Sequence, residues 1–411
     1  MPENRDLFAE KNTLAVLNVL RQEHRVSRAK IARVTDLTPA TVSRIVARLE
    51  NSGIVRTRGG GESTGGRKPL LVEFLPDAFY LAGVDIGVTK AIALVIDLHG
   101  NVVSRERMTL DPEEGREAEL SEVLGLAHRA FARLGDARGR LRGIGISMPG
   151  LVDAERGIAL EAPNLPSWGD TPLVEHFTRE FDCFCCLEND ARAMTLGEAR
   201  LGAGRGCRNI FAAIIGRGIG GGMVLNGELY RGKFSTSGEF GHVTVNHAGP
   251  TCNCGNRGCL EVMASGTAIA AAALRAVAAG GATVMKEMVG GRLDRITAEV
   301  VATAAGQGDL LAQRLMDEAA QYIGIGLADV VNLLGPELII VGGGVAAAGD
   351  VFLEMIRSTV AERAFTYGLA RPTFVKAALG DEGSCIGAAA LVLEKTLSAR
   401  PKAASTAARR D

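Results

Sequence analysis

Long apolar runs are absent from this chain of 411 residues, and none reaches the ~18 residues that a membrane-spanning helix needs. The N-terminus lacks the basic-then-apolar pattern of a secretory signal peptide. Net charge is nearly absent too, at −1, while 47% of the residues are hydrophobic. This composition excludes a disordered chain and predicts a packed globular protein of two or three domains, which we expect in the cytoplasm.

Cysteine is scarce, with eight residues in the whole chain, and this excludes a disulfide scaffold. Three of the eight nevertheless fall within the segment 252–259. In a reducing compartment such a cluster indicates metal binding or catalysis. The other five fit no ligand spacing and are expected to be ordinary core residues: Cys183, Cys185, Cys186, Cys207 and Cys385.

The small net charge hides an uneven distribution of charge along the chain. Residues 1–68 carry 13 Lys and Arg against 7 Asp and Glu, a net of +6, so the remainder carries −7. A basic head on an acidic body is a modest indication of nucleic-acid binding. Charge alone is equally consistent with a solvated helical surface.

The helical pattern of the head favours nucleic-acid binding over that alternative. Apolar spacing predicts a helix over about 7–23, and Ser27 is a candidate N-cap for a second. A third is predicted to start at Pro39, with Thr38 as its cap, and to stop near Gly53. This layout is typical of a helix-turn-helix, whose second helix enters the major groove N-terminus first. The candidate DNA contacts on this helix are Thr38, Thr41, Ser43, Arg44 and Arg48, outside an apolar stripe of Val42, Ile45, Val46 and Leu49.

Two short β-like runs follow within residues 54–76, and they flank a glycine-rich loop. This arrangement is typical of a wing whose basic residues contact phosphates or a minor groove. A plain three-helix cap with a linker is the alternative. We predict a winged helix-turn-helix domain over residues 1–75, with these basic wing residues: Arg56, Arg58, Arg67 and Lys68.

From Tyr80 the sequence alternates strands and helices, with glycines at the strand ends. This pattern predicts an α/β fold with ligands at the strand tips, where glycine turns let backbone N–H groups approach an anion or a sugar.

The thiol cluster follows the pattern C-x-C-x4-C at Cys252, Cys254 and Cys259. Three thiolates and one nitrogen complete a tetrahedral zinc site, and four protein ligands leave no open position, so the zinc is expected to be structural. His242 and His247 both lie near enough in sequence to be the fourth ligand, and spacing alone does not choose between them.

The order of several motifs resembles the ROK family (repressors, open reading frames and sugar kinases), in particular its repressor branch with an N-terminal winged helix. The resemblance covers about residues 10–395 and rests on these motifs: DIGVTK, GIGISMPGLVD, NLPSW, ENDARA, GRGIGGG, GEFGH, CNCGNRGCLE and VGGG. It implies a two-lobed, actin-like sugar kinase fold over residues 76–397, with the sugar in the interlobe cleft. Residues 398–411 are expected to form a disordered tail.

The resemblance also implies roles for individual residues. It selects His242 as the fourth zinc ligand. In kinases of the family the aspartate that matches Asp190 takes the proton from the attacking sugar hydroxyl. The sugar-binding set that the resemblance implies is Asn164, Asn189, Asp190, Glu239, His242 and Glu261.

The nucleotide side departs from the family pattern at two positions. Val88 stands where the family usually has the second glycine of D-x-G-G-T-K, and Arg217 stands where it usually has the threonine of G-T-G. The branched side chain of Val88 hinders the close approach of a phosphate. Arg217 in place of threonine removes a hydroxyl from the loop, but its guanidinium can itself bind phosphate. We predict a degraded nucleotide site that retains Asp85, Gly87, Thr89, Lys90, Gly218, Gly220 and Gly343.

These patterns together predict a sugar-responsive transcriptional repressor that binds operator DNA as a homodimer or homotetramer, because one winged helix reads only a half-site. A small sugar in the cleft would release the DNA. Two alternatives stay open at this point. The chain could be an active ATP-dependent sugar kinase with a DNA-binding head, or a regulator controlled by a partner protein.

Overall fold

The computed structural model describes residues 11–51, 53–59, 70–111, 115–163, 165–345, 349–366 and 371–398. The predictions for Asn164, Arg67, Lys68 and residues 399–411 of the tail lie outside this part of the chain. Within it, no helix is both long and apolar enough to cross a bilayer.

In the described residues of the head, 11–51, 53–59 and 70–74, the structure has three helices and a small antiparallel sheet with the strand order β1-β3-β2. The elements are α1 (Lys11–Glu23), β1 (Arg25–Ser27), α2 (Arg28–Thr35), α3 (Pro39–Asn51), β2 (Val55–Gly59) and β3 (Leu70–Phe74). β2 and β3 pair as the predicted wing, whereas β1 was not predicted.

The caps of the head helices follow the sequence. Ser27 Oγ accepts a hydrogen bond from Lys30 N at 3.2 Å, and Thr38 Oγ1 accepts one from Thr41 N at 3.2 Å. Each cap satisfies a backbone donor that the first helical turn leaves without an intrahelical partner. The predicted apolar stripe of α3 is buried, and it therefore faces the core of the head.

The first lobe of the body is built on a five-stranded sheet with the order β10-β7-β4-β5-β6. Its elements are β4 (Tyr80–Ile86), β5 (Lys90–Ile96), β6 (Val102–Thr109), α4 (Arg116–Ala132), β7 (Leu141–Met148), β8 (Leu151–Asp153), β9 (Ile158–Glu161), α5 (Leu173–Phe181), β10 (Phe184–Asn189) and α6 (Asp190–Leu201).

The second lobe has a five-stranded sheet with the order β13-β12-β11-β14-β15. Its strands are β11 (Ile210–Ile215), β12 (Ile219–Leu225), β13 (Glu228–Leu229), β14 (Leu338–Gly342) and β15 (Thr373–Lys376). The helices are α7 (Leu260–Ala264), α8 (Gly266–Ala278), α9 (Met285–Met288), α10 (Ala298–Gly306), α11 (Leu310–Leu334) and α12 (Asp350–Arg363), and α13 (Gly383–Ser398) follows this lobe in the chain.

Both sheets have the same topology, in which an antiparallel meander of three strands continues into two parallel strands. The two-lobed α/β fold with a winged head confirms the fold class expected from the sequence. The last helix, α13, returns to the first lobe, where a Cβ at Gly145 of β7 would lie 1.8 Å from Ala388 O. Only glycine permits this approach of helix to sheet.

Candidate functional site

Asn189 and Asp190 lie where β10 ends and α6 begins. Asn189 Oδ1 caps the helix by accepting from Arg192 N at 3.1 Å, and its Nδ2 donates to Gly150 O at 3.1 Å and to Asp190 Oδ1 at 3.0 Å. Asp190 Oδ1 also accepts from Ala191 N at 2.8 Å. Burial nevertheless raises the pKa of Asp190 above its ordinary value, a direction that suits a residue able to take a proton.

Asp85 lies one residue before the end of β4, on the strand next to β7. Its Oδ1 accepts from Ser147 Oγ at 2.7 Å, and these two residues are paired in the parallel register of the sheet. Burial, opposed by the Ser147 hydrogen bond and supported by the charge of Asp190, raises the pKa of Asp85 to about 7. β4 and β10 run parallel on either side of β7, so their carboxyl ends bring two interacting carboxyl groups to the same edge of the sheet.

The second lobe supplies the other predicted sugar residues. Glu239 lies immediately before a short 3-10 helix, Phe240–His242. Burial raises the pKa of Glu239, the charges of Arg192 and His242 oppose that shift, and those of Asp190 and Glu261 add to it. The charges of Asp190, His242 and Glu261 thus all act on Glu239, so the structure brings these four predicted sugar residues near one another.

Glu261 is held by the backbone of the second glycine-rich loop. Its Oε2 accepts from Ile219 N at 2.9 Å, and a Cβ at Gly218 would lie 2.4 Å from the same oxygen. A Cβ at Gly220 would meet the Cβ of Ala191 at 2.8 Å. Two glycines predicted to bind nucleotide thus allow close packing around sugar-site residues.

A buried ion cluster that the sequence analysis missed supports this arrangement. Glu188 is fully buried and accepts from Arg192 Nε at 2.7 Å and from Arg231 Nε at 2.5 Å. Arg192 Nη1 also donates to Ser237 O at 3.0 Å. Arg192 thereby connects α6 to the loop that leads into Glu239. The i,i+4 spacing of Glu188 and Arg192 on either side of the Asn-Asp pair was the available signal.

His242, Cys252, Cys254 and Cys259 form a cluster whose ligand atoms all lie within 4.8 Å of one another. His242 Nδ1 is 3.7 Å from Cys252 Sγ, and Cys254 Sγ is 3.7 Å from Cys259 Sγ. A tetrahedral site with zinc–sulfur bonds of ~2.3 Å has edges of ~3.8 Å, so these side chains fit a metal ion. Because His242 presents Nδ1 to the cysteines, its Nε2 lies on the opposite side of the ring.

The first glycine-rich loop is a tight turn between β4 and β5. Gly87 N donates to Lys90 O at 2.9 Å, and Thr89 O accepts from Leu110 N at 2.9 Å. Val88 is half-buried and packs against the apolar cluster of the first lobe. Lys90 Nζ forms an ion pair with Asp381 Oδ2 at 2.9 Å, so the lysine is bound by a protein carboxylate.

The second glycine-rich loop borders a cavity of about 630 Å³ that Arg217, Gly218, Glu261 and Arg275 help to line. Gly216 O accepts from Gly266 N at 2.8 Å, so a loop carbonyl satisfies the first turn of α8. Gly343, directly after β14, has φ +89, and a Cβ there would lie 2.4 Å from Ile215 O. Gly343 is therefore required by backbone geometry whether or not a nucleotide binds.

In the head, Arg44 is exposed on α3, while Thr41, Ser43 and Arg48 are partly exposed. Thr38 and Thr41 also share a hydrogen bond between their hydroxyls at 2.9 Å. In the wing, Arg58 is exposed, whereas Arg56 Nε donates to Glu73 Oε2 at 2.7 Å.

Arg56 and Arg25 both hydrogen-bond to Glu73, and these contacts lower the pKa of its carboxyl to about 2. Arg56 of the wing is therefore exposed to solvent and at the same time paired with Glu73.

Comparison with known proteins agrees with this geometry. The ROK family profile matches residues 81–395, and a winged helix-turn-helix DNA-binding profile matches residues 10–56. The xylose repressor of Caldicellulosiruptor bescii is 31% identical over 395 residues, with 96% of this chain and 98% of that protein covered.

Two solved structures extend the comparison. The ROK family glucokinase from Streptomyces griseus, in complex with glucose and AMPPNP, is 34% identical with a TM-score of 0.67, covering 76% of this chain and 98% of that one. A ROK family transcriptional regulator, a homolog of the E. coli MLC protein, shares the fold at 24% identity with a TM-score of 0.81, covering 96% and 97%. With both lobes matched and the winged head in place, this chain belongs to the ROK family.

Proposed function

We propose that the chain is a sugar-responsive transcriptional repressor that binds operator DNA through α3 and the wing and is released by a small sugar. The observation that carries this proposal is the convergence of Asp190, Glu239, His242 and Glu261 from both lobes. The similarity to a xylose repressor over nearly the whole chain supports it.

The side chains of the cleft suit a polyhydroxylated ligand. Ionised carboxylates accept strong hydrogen bonds from hydroxyl groups, and an Asn side chain both donates and accepts. Asn189 and Asp190 belong to the first lobe and Glu239 and Glu261 to the second, so one sugar that contacts both pairs would favour a closed arrangement of the lobes. Such a ligand shifts the equilibrium by the difference between its affinities for the two states.

The proposal includes a structural zinc ion held by His242, Cys252, Cys254 and Cys259, and the distances among these ligand atoms support it. When bound, the ion supplies a cross-link with no open coordination position. It would orient His242 so that Nε2 faces away from the cysteines, and it would fix the segment between Glu239 and Glu261.

Dimerisation is part of the same proposal. One helix-turn-helix reads a half-site, and paired half-sites lie about 34–36 Å apart along the DNA or at multiples of that spacing. We infer that the repressor binds as at least a dimer, with tetramers as the larger alternative. Lobe closure would change the spacing of the two heads.

Isosteric changes of the cleft carboxylates test the proposal. Asp190→Asn and Glu239→Gln should each weaken sugar binding about 10–100-fold, because each removes a charge-assisted hydrogen bond. Operator affinity without sugar should stay at the wild-type value, as measured by gel shift. Glu318→Gln, on the exposed surface of α11, is the control. Normal release of Glu239→Gln and Asp190→Asn by sugar would show that the ligand binds elsewhere.

An active sugar kinase with a DNA-binding head is the second candidate function. The Asp190 carboxyl with its raised pKa and the similarity to a glucokinase favour it. Val88, Arg217 and the Lys90–Asp381 ion pair favour a degraded nucleotide site instead. Sugar-dependent release of ADP would establish the kinase.

A further inference from the structure

The head and the body meet where α1 ends. His24 terminates this helix with φ +54, a left-handed conformation that few side chains adopt, and its N–H donates to Leu20 O at 3.1 Å. The His24 ring lies against that of His99, with 4.5 Å between ring centroids and 3.4 Å between Nδ1 and Nε2. His99 is positioned by Asp97, whose Oδ1 accepts from its backbone N–H at 2.9 Å.

Two adjoining cavities of about 470 and 580 Å³ open along this contact, which we call the head–body seam. The two cavities share four lining residues: Asn18 and Arg21 of the head, and Arg200 and Leu201 of the body. Arg205, His24 and His99 add to the lining of the smaller cavity. The walls are therefore contributed by both parts of the molecule and are rich in basic groups.

The positive charge of the seam exceeds its negative charge. Four guanidiniums, on Arg21, Arg200, Arg205 and Arg231, are accompanied by three carboxylates, on Asp97, Glu228 and Glu394. All three carboxylates belong to the lining of the larger cavity, whereas the charged lining of the smaller one is Arg21, Arg200 and Arg205 together with the two histidines. Burial and then the charges of Arg200 and Arg205 lower the pKa of Arg21 to about 10, although Glu394 and Asp97 act in the opposite direction.

Two of these carboxylates, on Glu394 and Asp97, are already committed to other groups. Glu394 forms an ion pair with Arg200 at 2.5 Å. Asp97 Oδ1 accepts from the backbone N–H groups of His99 and Asn101, each at 2.9 Å. The two carboxylates whose charges act on Arg21 are thus occupied, and the charges of Arg200 and Arg205 still repel that of Arg21.

We propose that the head–body seam binds a small phosphate-type dianion, either inorganic phosphate or a phosphate monoester. Guanidinium groups present planar pairs of donors that match phosphate oxygens, and Arg21 and Arg205 would donate to one anion from opposite sides of the seam. Without an anion, the guanidiniums of Arg21 in the head and Arg205 in the body repel each other; a bound anion attracts both. It therefore holds the head in its present orientation, and its binding is coupled to the affinity of the head for operator DNA.

Calorimetric titration of the full chain with inorganic phosphate, and separately with glycerol 3-phosphate, tests the proposal at constant ionic strength in chloride. Wild type should bind at one site per chain, and the two titrations distinguish the free anion from an ester. Arg205→Gln and Arg21→Gln should each weaken binding at least about tenfold through loss of a charge-assisted hydrogen bond. Arg314→Gln, an exposed arginine of α11 that lines neither cavity, should bind as wild type does.

Arg205 is exposed, so its variant is expected to keep the fold, and circular dichroism checks this. Absence of saturable binding to wild type overturns the proposal, as does equal binding by wild type and the Arg205→Gln variant. The proposal is also wrong if Arg205→Gln weakens operator binding equally with and without phosphate, because the arginine would then contact DNA. The expected result is an operator affinity that depends on phosphate in wild type and not in Arg205→Gln.

Discussion

The proposed sugar side and the predicted nucleotide side of the body differ in how their residues are held. On the sugar side, Asn189 caps a helix, Glu261 accepts from a backbone N–H, and Glu188 is fully buried between two arginines. On the nucleotide side, Lys90 is exposed and paired with an exposed Asp381. The residues of the sugar side are therefore held by buried contacts inside the protein. A regulator that senses sugar needs the sugar side alone.

The glycines illustrate the same difference. Gly218 and Gly220, expected to bind nucleotide, leave room for Glu261 and Ala191. A loop that has lost phosphoryl transfer would still retain these glycines, because side chains there would displace Glu261 and Ala191. Retained glycine motifs are therefore poor evidence for kinase activity in this fold.

The largest effect is expected from removing the metal cluster on the sugar side. Cys259→Ser should lose the metal, measured as zinc per chain, because a hydroxyl is a much weaker zinc ligand than a thiolate. Sugar affinity should fall about 100-fold or more, since support residues of metal sites alone contribute 10–100-fold. Cys207→Ser, outside the cluster, is the control. If metal-free Cys259→Ser protein is still released from operator DNA by sugar as wild type is, the zinc cross-link is not needed for sugar binding.

A smaller effect is expected at Asp85, where the two sides meet. The pKa of the Asp85 carboxyl is higher in the folded state, about 7, than in the unfolded chain, 3.8, so folding favours its protonated form. The stability that the protonated carboxyl contributes is fully present below pH 3.8 and is lost as the pH rises through about 7. Asp85→Asn should therefore gain stability relative to wild type by about 2 kcal/mol between about pH 5.5 and pH 8.5. Thermal unfolding at both pH values measures this, and a constant difference would contradict the shifted pKa.

The smallest effect is expected from restoring the nucleotide loops. Val88→Gly and Arg217→Thr, alone or combined, should leave sugar affinity unchanged, because neither side chain belongs to the sugar cluster. If the degraded loops are what prevents catalysis, the combined variant gains sugar-dependent ADP release in a coupled assay. Comparable ADP release by wild type would instead assign kinase activity to the native chain and erase the difference between the two sides.

Much of the head could be predicted from the sequence because its signals are local. Ser27 and Thr38 cap helices at short range, and the apolar stripe of α3 is buried as its spacing indicates. β1 was missed because a strand of three residues, Arg25–Ser27, has too little pattern to detect. It exists through its pairing with β3, which lies more than 40 residues later.

The candidate site was predictable where a motif carries the chemistry. Asp190, Glu239 and the Cys/His cluster each belong to a short motif, and the structure brings them together. Arg231 and the seam arginines could not be found in this way, because their partners are distant in sequence and only folding makes them neighbours. Such long-range contacts have no local signature.

Operator binding by gel shift, with a panel of free and phosphorylated sugars each tested with and without ATP, is the most direct test of the account. We expect one free sugar to release the DNA without ATP. Release that requires ATP, or that occurs only with a phosphorylated sugar, would contradict it and show that the nucleotide side is functional.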